Sequence, residues 1–312
     1  MERYQLIIIG AGAAGLTAAL YAGRRKINTL IISKDLGGQA VTTTNIGNYP
    51  GFKLITGHEL IEKMKGQVDE LKIETRYDDV QSIKKIDSGF EIKTHSNHYF
   101  AQSIIVASGK SPNDLNISQE SEFKGKDIHY AVTNLDEYRD KEVVVVGGAY
   151  VACQSALTLS PVAKKVTLVC RTTLKAEPIV VDAVKNEPKI EVVTKAVPVE
   201  FVGEDKLAGI KIASNNTESV INCEKAIVAI GYSNKTEWLK GVLDLDSLGQ
   251  IVIEPNCATS CEGIFAGGDV TTIPYKQVVV SAGEGAKAAI SASLYIAKQD
   301  GSTLPIFDWE HK

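Results

Sequence analysis

Apolar positions along the chain cluster in short continuous runs, and two of these runs open the same composite pattern. Residues 4–20 read YQLIIIGAGAAGLTAAL and residues 142–159 read EVVVVGGAYVACQSALTL. In each, an apolar run leads into a glycine-rich turn and then a stretch of small residues. A run without alternation predicts a strand buried on both faces, and the small residues after the turn predict a helix packed closely on it. A second apolar run follows each motif: TLII at 29–32 and KVTLV at 165–169. Each set closes with a strand ending in glycine, SIIVASG at 103–109 and KAIVAIG at 225–231. The chain thus predicts a β-α-β unit occurring twice. Alternating stretches at 80–86, 89–94, 190–195 and 207–212 predict further strands, and the small-residue run 278–297 predicts a closing helix.

The fold class that follows is α/β, with two Rossmann-like dinucleotide-binding domains. Polar stretches at 110–116 and 233–236 are the expected crossings between them. The expected division is a discontinuous domain of residues 1–112 and 245–312, with residues 113–244 inserted as the second. At 312 residues the chain is long enough for both.

Composition removes several function classes. The net charge is −4, with no basic stripe of the kind a nucleic-acid binder carries. No apolar run approaches the ~20 residues of a membrane helix, and the run 6–9 is too short for a secretion signal. Five cysteines, an odd number at scattered spacings, suit a reducing compartment, so a cytoplasmic protein is expected. The histidines His58, His95, His98, His129 and His311 show no metal-ligand spacing, and no metal is expected.

Candidate chemistry starts at Gly10-x-Gly12-x-x-Gly15. Alone the motif is weak, but here it ends a strand and opens a helix, the context that gives it meaning. Gly10 allows the tight turn, Gly12 lets a pyrophosphate approach the backbone, and Gly15 lets helix and strand pack. Ala13 and Ala14 open a helix whose N-terminus faces the anion. The acid usual at the end of the second strand is replaced by Ser33, with Asp35 two residues on, which leaves the ribose contact unassigned. Further blocks follow: Leu36-Gly37-Gly38-Gln39, Asn48-Tyr49-Pro50-Gly51, GIFAGGDV at 263–270, and Lys276-Gln277-Val278.

With these blocks in this order, nearly the whole chain resembles the low-molecular-weight thioredoxin reductase family, related to the flavoprotein half of bacterial alkyl hydroperoxide reductase. The resemblance implies FAD in the first unit, lined by Gly37, Gly38, Gln39, Asn48, Gly109, Gly268, Asp269, Gln277 and Val278. Asp269 is expected on the ribitol and Gln277 near the isoalloxazine. The competing reading of Asp269 is a turn or helix-cap aspartate. The resemblance also implies a homodimer.

The chain departs from that family in two places. Where the family carries Cys-x-x-Cys-Asp, this sequence reads Ala131-Val132-Thr133-Asn134-Leu135, so no catalytic residue can be assigned and the usual disulfide route is not expected. Cys257 and Cys261 are weighed as substitutes, against two small residues in a loop at the wrong end of a strand. Cys153 is read as packing. In the second glycine turn, Gly147, Gly148 and Ala152 match, but Ala149 replaces the middle glycine and bulky Tyr150 follows. The family's basic cluster for a 2′-phosphate is reduced to Arg171, with Lys175 nearby, so a preference for NADPH is expected to be lost or reduced. NADH, weak binding of either nucleotide, or an empty site remain open. Near the C-terminus, Phe307 or Trp309 could cover a flavin or pack on the surface.

Three functions are consistent with this pattern. The first passes electrons from NADH or NADPH through FAD to a non-dithiol acceptor such as ferredoxin, flavodoxin, a quinone or oxygen. The second is a flavoprotein reduced by a protein donor such as ferredoxin, its nicotinamide site degenerate. The third is a non-catalytic FAD-binding partner or regulator.

Overall fold

The structure is a computed structural model, and residues 1–43, 45–214 and 217–302 are described. The chain divides into two compact units, Met1–Ser111 with the chain from Ser233 onward, and Pro112–Tyr232. The crossings fall in the two polar stretches, but residues 233–244, expected in the inserted domain, belong to the first unit. Leu239 and Leu243 are the reason: both are buried in an apolar cluster with Val80, Ile83, Ile251 and Val270.

The first unit is built on the strand Glu2–Ala11, whose residues 6–9 are buried. The strands Thr29–Leu36 and His98–Val106 flank it in parallel, pairing Leu6 with Thr29 on one side and with Ser103 on the other. Glu74–Tyr77 extends one edge and Ile264–Ala266 pairs with His98–Val106, both in parallel. Val80–Ile86 and Gly89–Thr94 complete the other edge as antiparallel strands. Two helices pack on one another, Ala13–Arg24 and Val278–Gln299, and small residues set how closely they approach. A Cβ on Gly285 would lie 2.0 Å from the Ala14 carbonyl oxygen, so only glycine permits this approach.

The second unit repeats the plan. Glu142–Val146 is flanked by Lys165–Cys170 and Lys225–Val228, again in parallel, with Ile190–Thr194 and Ile128–His129 outside. Its first helix is Tyr150–Leu159. An antiparallel sheet of Ala196–Gly203, Leu207–Ser214 and Thr217–Asn222 shares a core with Val144 and Val146 through Phe201, Ile210 and Ile212. Among the described residues, no helix is long and apolar enough to cross a membrane.

Candidate functional site

The three glycines of the first motif divide into two kinds. Gly10 has φ +112°, and a Cβ there would lie 2.3 Å from the Ala107 carbonyl oxygen. A Cβ on Gly15 would lie 1.8 Å from the Gly10 carbonyl oxygen. Both are demanded by the chain's own packing. Gly12 is different: its φ of −82° suits any residue, and a Cβ would meet only the Gly37 carbonyl oxygen at 3.7 Å. Its missing side chain therefore leaves open space. That space lies at the N-terminus of Ala13–Arg24, which carries no side-chain cap and no acidic residue in its first turn. The first amides of a helix have no partner within it, and with the positive end of the helix dipole they suit an anion.

Around this turn the other sequence blocks take defined places. The Gly37 amide donates to the Ala11 carbonyl at 2.8 Å, and Gln39 donates from Nε2 to the Lys110 carbonyl at 3.2 Å. Asn48 meets Gln277, Nδ2 to Oε1, at 2.9 Å. Val278 packs against the cluster of Ile46, Ile55 and Leu60 beneath them. Asp269 lies in a turn and accepts from Ser281 Oγ at 3.0 Å, and the N-cap position of the helix that follows is Gln277, so Asp269 is a turn residue and not the helix N-cap. At Gly38 and Gly109, φ is +53° and +61°, and a Cβ on either would meet nothing within 4 Å.

At the end of the second strand Ser33 is not free for a ribose, and Asp35 is engaged through one carboxylate oxygen. Ser33 Oγ accepts from the Ala11 amide at 3.0 Å and donates to the Asp35 carbonyl at 2.7 Å. Asp35 Oδ1 accepts from the Gly38 amide at 3.1 Å. Both bind the turn to itself. The sequence blocks include Lys276 without a role and leave out Ser281. Ser281 lies one helical turn past Gln277, and that spacing was the available signal. Lys276 donates to the Thr271 carbonyl at 2.5 Å, and burial, with the charge of Lys110, holds its ammonium below the usual lysine range.

The second unit reproduces the turn. Gly147 has φ +144°, and its Cβ would lie 2.3 Å from the Ala229 carbonyl oxygen, the counterpart of Ala107. The Lys175 amide donates to the Gly148 carbonyl at 2.6 Å, as that of Gly37 does to Ala11. Ala149 occupies the place of Gly12 with nearly the same backbone, φ −90°, so its methyl group stands where Gly12 leaves space. The helix N-terminus behind it is also uncapped. Tyr150, Val151, Arg171 and Lys175 are all exposed around it.

Residues 129–138 form a closed polar turn. Asn134 accepts from the Asp136 amide at 3.1 Å and donates from Nδ2 to Glu137 Oε1 at 3.3 Å. His129 Nδ1 lies 2.6 Å from the hydroxyl of buried Tyr138. Burial pushes the His129 pKa down, with Glu137 opposing. All five cysteines are free thiols, four buried and Cys261 half-buried. Burial raises every one, Cys223 and Cys257 to about 12. Among the described residues no group of three potential metal ligands gathers. Phe307, Trp309 and His311 lie outside the described residues.

Two glycine turns of the same build, each at an uncapped helix N-terminus beside a parallel sheet, define a duplicated dinucleotide-binding α/β protein. The family model described as pyridine nucleotide-disulphide oxidoreductase matches residues 4–289. The thioredoxin reductase of Treponema pallidum (strain Nichols) is 38% identical over 299 residues, covering 94% of this chain and 97% of its own. The thioredoxin reductase of Rickettsia felis is 35% identical over 305 residues, covering 94% of this chain and 98% of its own. Among solved structures, the thioredoxin reductase of Lactococcus lactis in its FR conformation matches with a TM-score of 0.80 at 30% identity, covering 95% of this chain and 99% of that one. The chain belongs to the pyridine nucleotide-disulphide oxidoreductase family, in its low-molecular-weight, thioredoxin-reductase-like class. It is an FAD-dependent oxidoreductase.

Proposed function

We propose that this protein moves electrons from NADH or NADPH through FAD to an acceptor that is not a dithiol. The observation that carries this reading is the turn at 129–138. Ala131 and Asn134 stand where the resemblance places the redox cysteines, and Asn134 is committed to capping the turn. Neither side chain can form a disulfide or accept an electron pair. The remaining cysteines are a poor replacement, since burial keeps them protonated.

FAD fits the first unit on the chain's own geometry. The space at Gly12 and the uncapped helix behind it suit a pyrophosphate. Gly10, Ala13, Ala14 and Gly15 shape that turn, with Gly37, Gly38, Gln39, Asn48, Gly109, Gly268, Gln277 and Val278 along the cofactor. Ser281 engages Asp269 Oδ1, which leaves Oδ2 for a ribitol hydroxyl. Bound FAD supplies hydride acceptance and the release of electrons one or two at a time. The protein supplies position: Asn48 and Gln277 orient each other, and Lys276 brings a cation to the same loop.

Gly147, Gly148, Ala152 and Arg171 would hold the nicotinamide nucleotide, with discrimination for NADPH reduced. The acceptor class includes ferredoxin, flavodoxin, a quinone and oxygen, and the protein acts as a cytoplasmic homodimer. The Ala149 methyl and the exposed Tyr150 favour one second reading, in which the nicotinamide site is degenerate and a protein such as ferredoxin is the donor.

Anaerobic mixing of the FAD-loaded protein with NADH and, separately, NADPH distinguishes the two. Rapid loss of flavin absorbance with NADH supports the first reading. Bleaching by dithionite but by neither nucleotide overturns it in favour of the second.

A further inference from the structure

A buried polar network lies behind the Gly267–Asp269 turn. Cys257 is fully buried and Glu284 is 5% exposed. The thiol donates to Glu284 Oε2 at 3.2 Å, and Oε1 accepts from Lys287 Nζ at 2.8 Å. Cys257 holds φ +66°, a left-handed backbone that a residue with a Cβ adopts only when its surroundings fix it.

Both partners grip the same short piece of chain. The Ala266 amide donates to the Cys257 carbonyl at 3.0 Å. On the other side, a Cβ on Gly267 would lie 3.1 Å from the Glu284 backbone, so the turn rests directly on that residue. The thiol–carboxylate bond therefore closes a ring: Cys257, Ala266, Gly267, Glu284 and back. One turn earlier on the same helix, Ser281 holds Asp269. One residue later, Gly285 packs on Ala14 of the first glycine motif.

We propose that the Cys257–Glu284 pair is a positioning device that fixes the Gly267–Asp269 turn, and with it the affinity for FAD. This rests on the assignment of Asp269 to the FAD site. A buried carboxylate must have each oxygen satisfied. Oε1 has Lys287, and the thiol is the only partner of Oε2 among the described residues. Removing the thiol leaves an unpaired, buried carboxylate oxygen on the residue that backs Gly267. The carboxylate then swings toward water, and the helical turn 281–285 that positions Asp269 and Ala14 moves with it. Neither Cys257 nor Glu284 touches the reacting atoms, so both are positioning residues.

The test is titration of apoprotein with FAD, read by flavin fluorescence, with visible circular dichroism of the bound flavin and the melting temperature of each apoprotein as companions. Cys257→Ala is expected to raise the Kd by about tenfold, the loss of one hydrogen bond to a buried charge, and to alter the flavin dichroism. Cys257→Ser keeps a donor for Oε2 and is expected to restore both. A role in packing alone would not show this rescue. Asp269→Ala serves as the control for the site. If Asp269→Ala weakens FAD and Cys257→Ala does not, the positioning role is wrong. If Asp269→Ala leaves the Kd unchanged, the assignment of the site itself is wrong. If Cys257→Ser loses as much as Cys257→Ala, the hydrogen bond is not the cause and the proposal falls. Should Cys257→Ala fail to fold, Glu284→Met, which removes the acceptor at similar volume, decides, and a wild-type Kd and dichroism there overturn the proposal.

Discussion

Asn48 donates from Nδ2 to Gln277 Oε1 at 2.9 Å, joining two residues 229 positions apart in the chain. One lies in the loop before the helix Gly57–Glu70, the other at the N-cap of Val278–Gln299. The family resemblance implies an FAD-binding role for each separately, and their contact joins the two blocks within the first unit. Such a hydrogen bond contributes about 1 kcal/mol net, so Gln277→Ala is expected to weaken FAD by roughly two- to tenfold. Asn48→Ala should cost a similar factor, and the double variant less than the product of the two, since each loses the same bond. Fluorescence titration of the apoproteins reads all three, and additive losses would show that the contact does not matter for binding.

Gly12 and Ala149 make a reciprocal pair for mutation. Gly12→Ala should fold normally, because φ −82° tolerates a side chain and the added Cβ meets only one atom, at 3.7 Å. It should nonetheless bind FAD at least about tenfold more weakly, since the methyl group occupies the space for the pyrophosphate. Gly10→Ala should instead fail to fold, with its Cβ 2.3 Å from the Ala107 carbonyl oxygen. Conversely, Ala149→Gly should tighten NADH in the second unit. Calorimetric titration with NADH measures that gain, and an unchanged affinity would mean that the methyl group is not what limits binding.

The duplication is legible because it rests on the most local of signals. A buried strand, a glycine turn and a small-residue helix announce themselves within a score of residues, and both copies place their backbone contacts alike, Gly10 on Ala107 and Gly147 on Ala229. Other features need information the pattern does not hold. A boundary near 244 is wrong by a dozen residues because Leu239 and Leu243 look like any short apolar pair until Val80 and Ile83 close over them. The helix Gly57–Glu70 is readable: Thr56 and Glu59 form a capping box, and its signature stands in the sequence as Thr-x-x-Glu. Ser33 illustrates the reverse case. It stands in the place of the usual ribose-binding acid, and its hydroxyl, which bridges the Ala11 amide and the Asp35 carbonyl, is already consumed.

Thiol counting tests the absence of a redox dithiol directly. Four of the five cysteines are buried and Cys261 is half-buried, with every thiol pKa raised. Native protein should therefore expose one slowly reacting thiol to a disulfide reagent at neutral pH, and five after denaturation. The native count should be the same before and after full reduction of the flavin by dithionite. Two additional thiols in the reduced sample would mean that a disulfide pair cycles with the flavin, contrary to the proposed function.

His129 should make the second unit sensitive to mild acid. Its pKa is lowered from the ordinary value of 6.5, first by burial and against the pull of Glu137. The geometry gives the same direction. In the neutral tautomer with Nδ1 unprotonated, His129 accepts from the Tyr138 hydroxyl, whereas a protonated ring would donate there and leave the buried hydroxyl hydrogen without an acceptor. With the folded pKa below the unfolded one, the unfolded chain binds the extra proton. The His129 contribution to stability is thus fully present above the unfolded value of 6.5 and is lost as pH falls through the lowered folded value. Wild-type melting temperature should fall as the pH drops below 6.5 toward the lowered folded value. His129→Gln, which keeps a side-chain acceptor for Tyr138 but cannot be protonated, should flatten the decline. The carboxylates facing His129 are the same in both proteins, so the difference between the two curves isolates the histidine. Parallel curves across that window would show that His129 carries no pH-dependent stability.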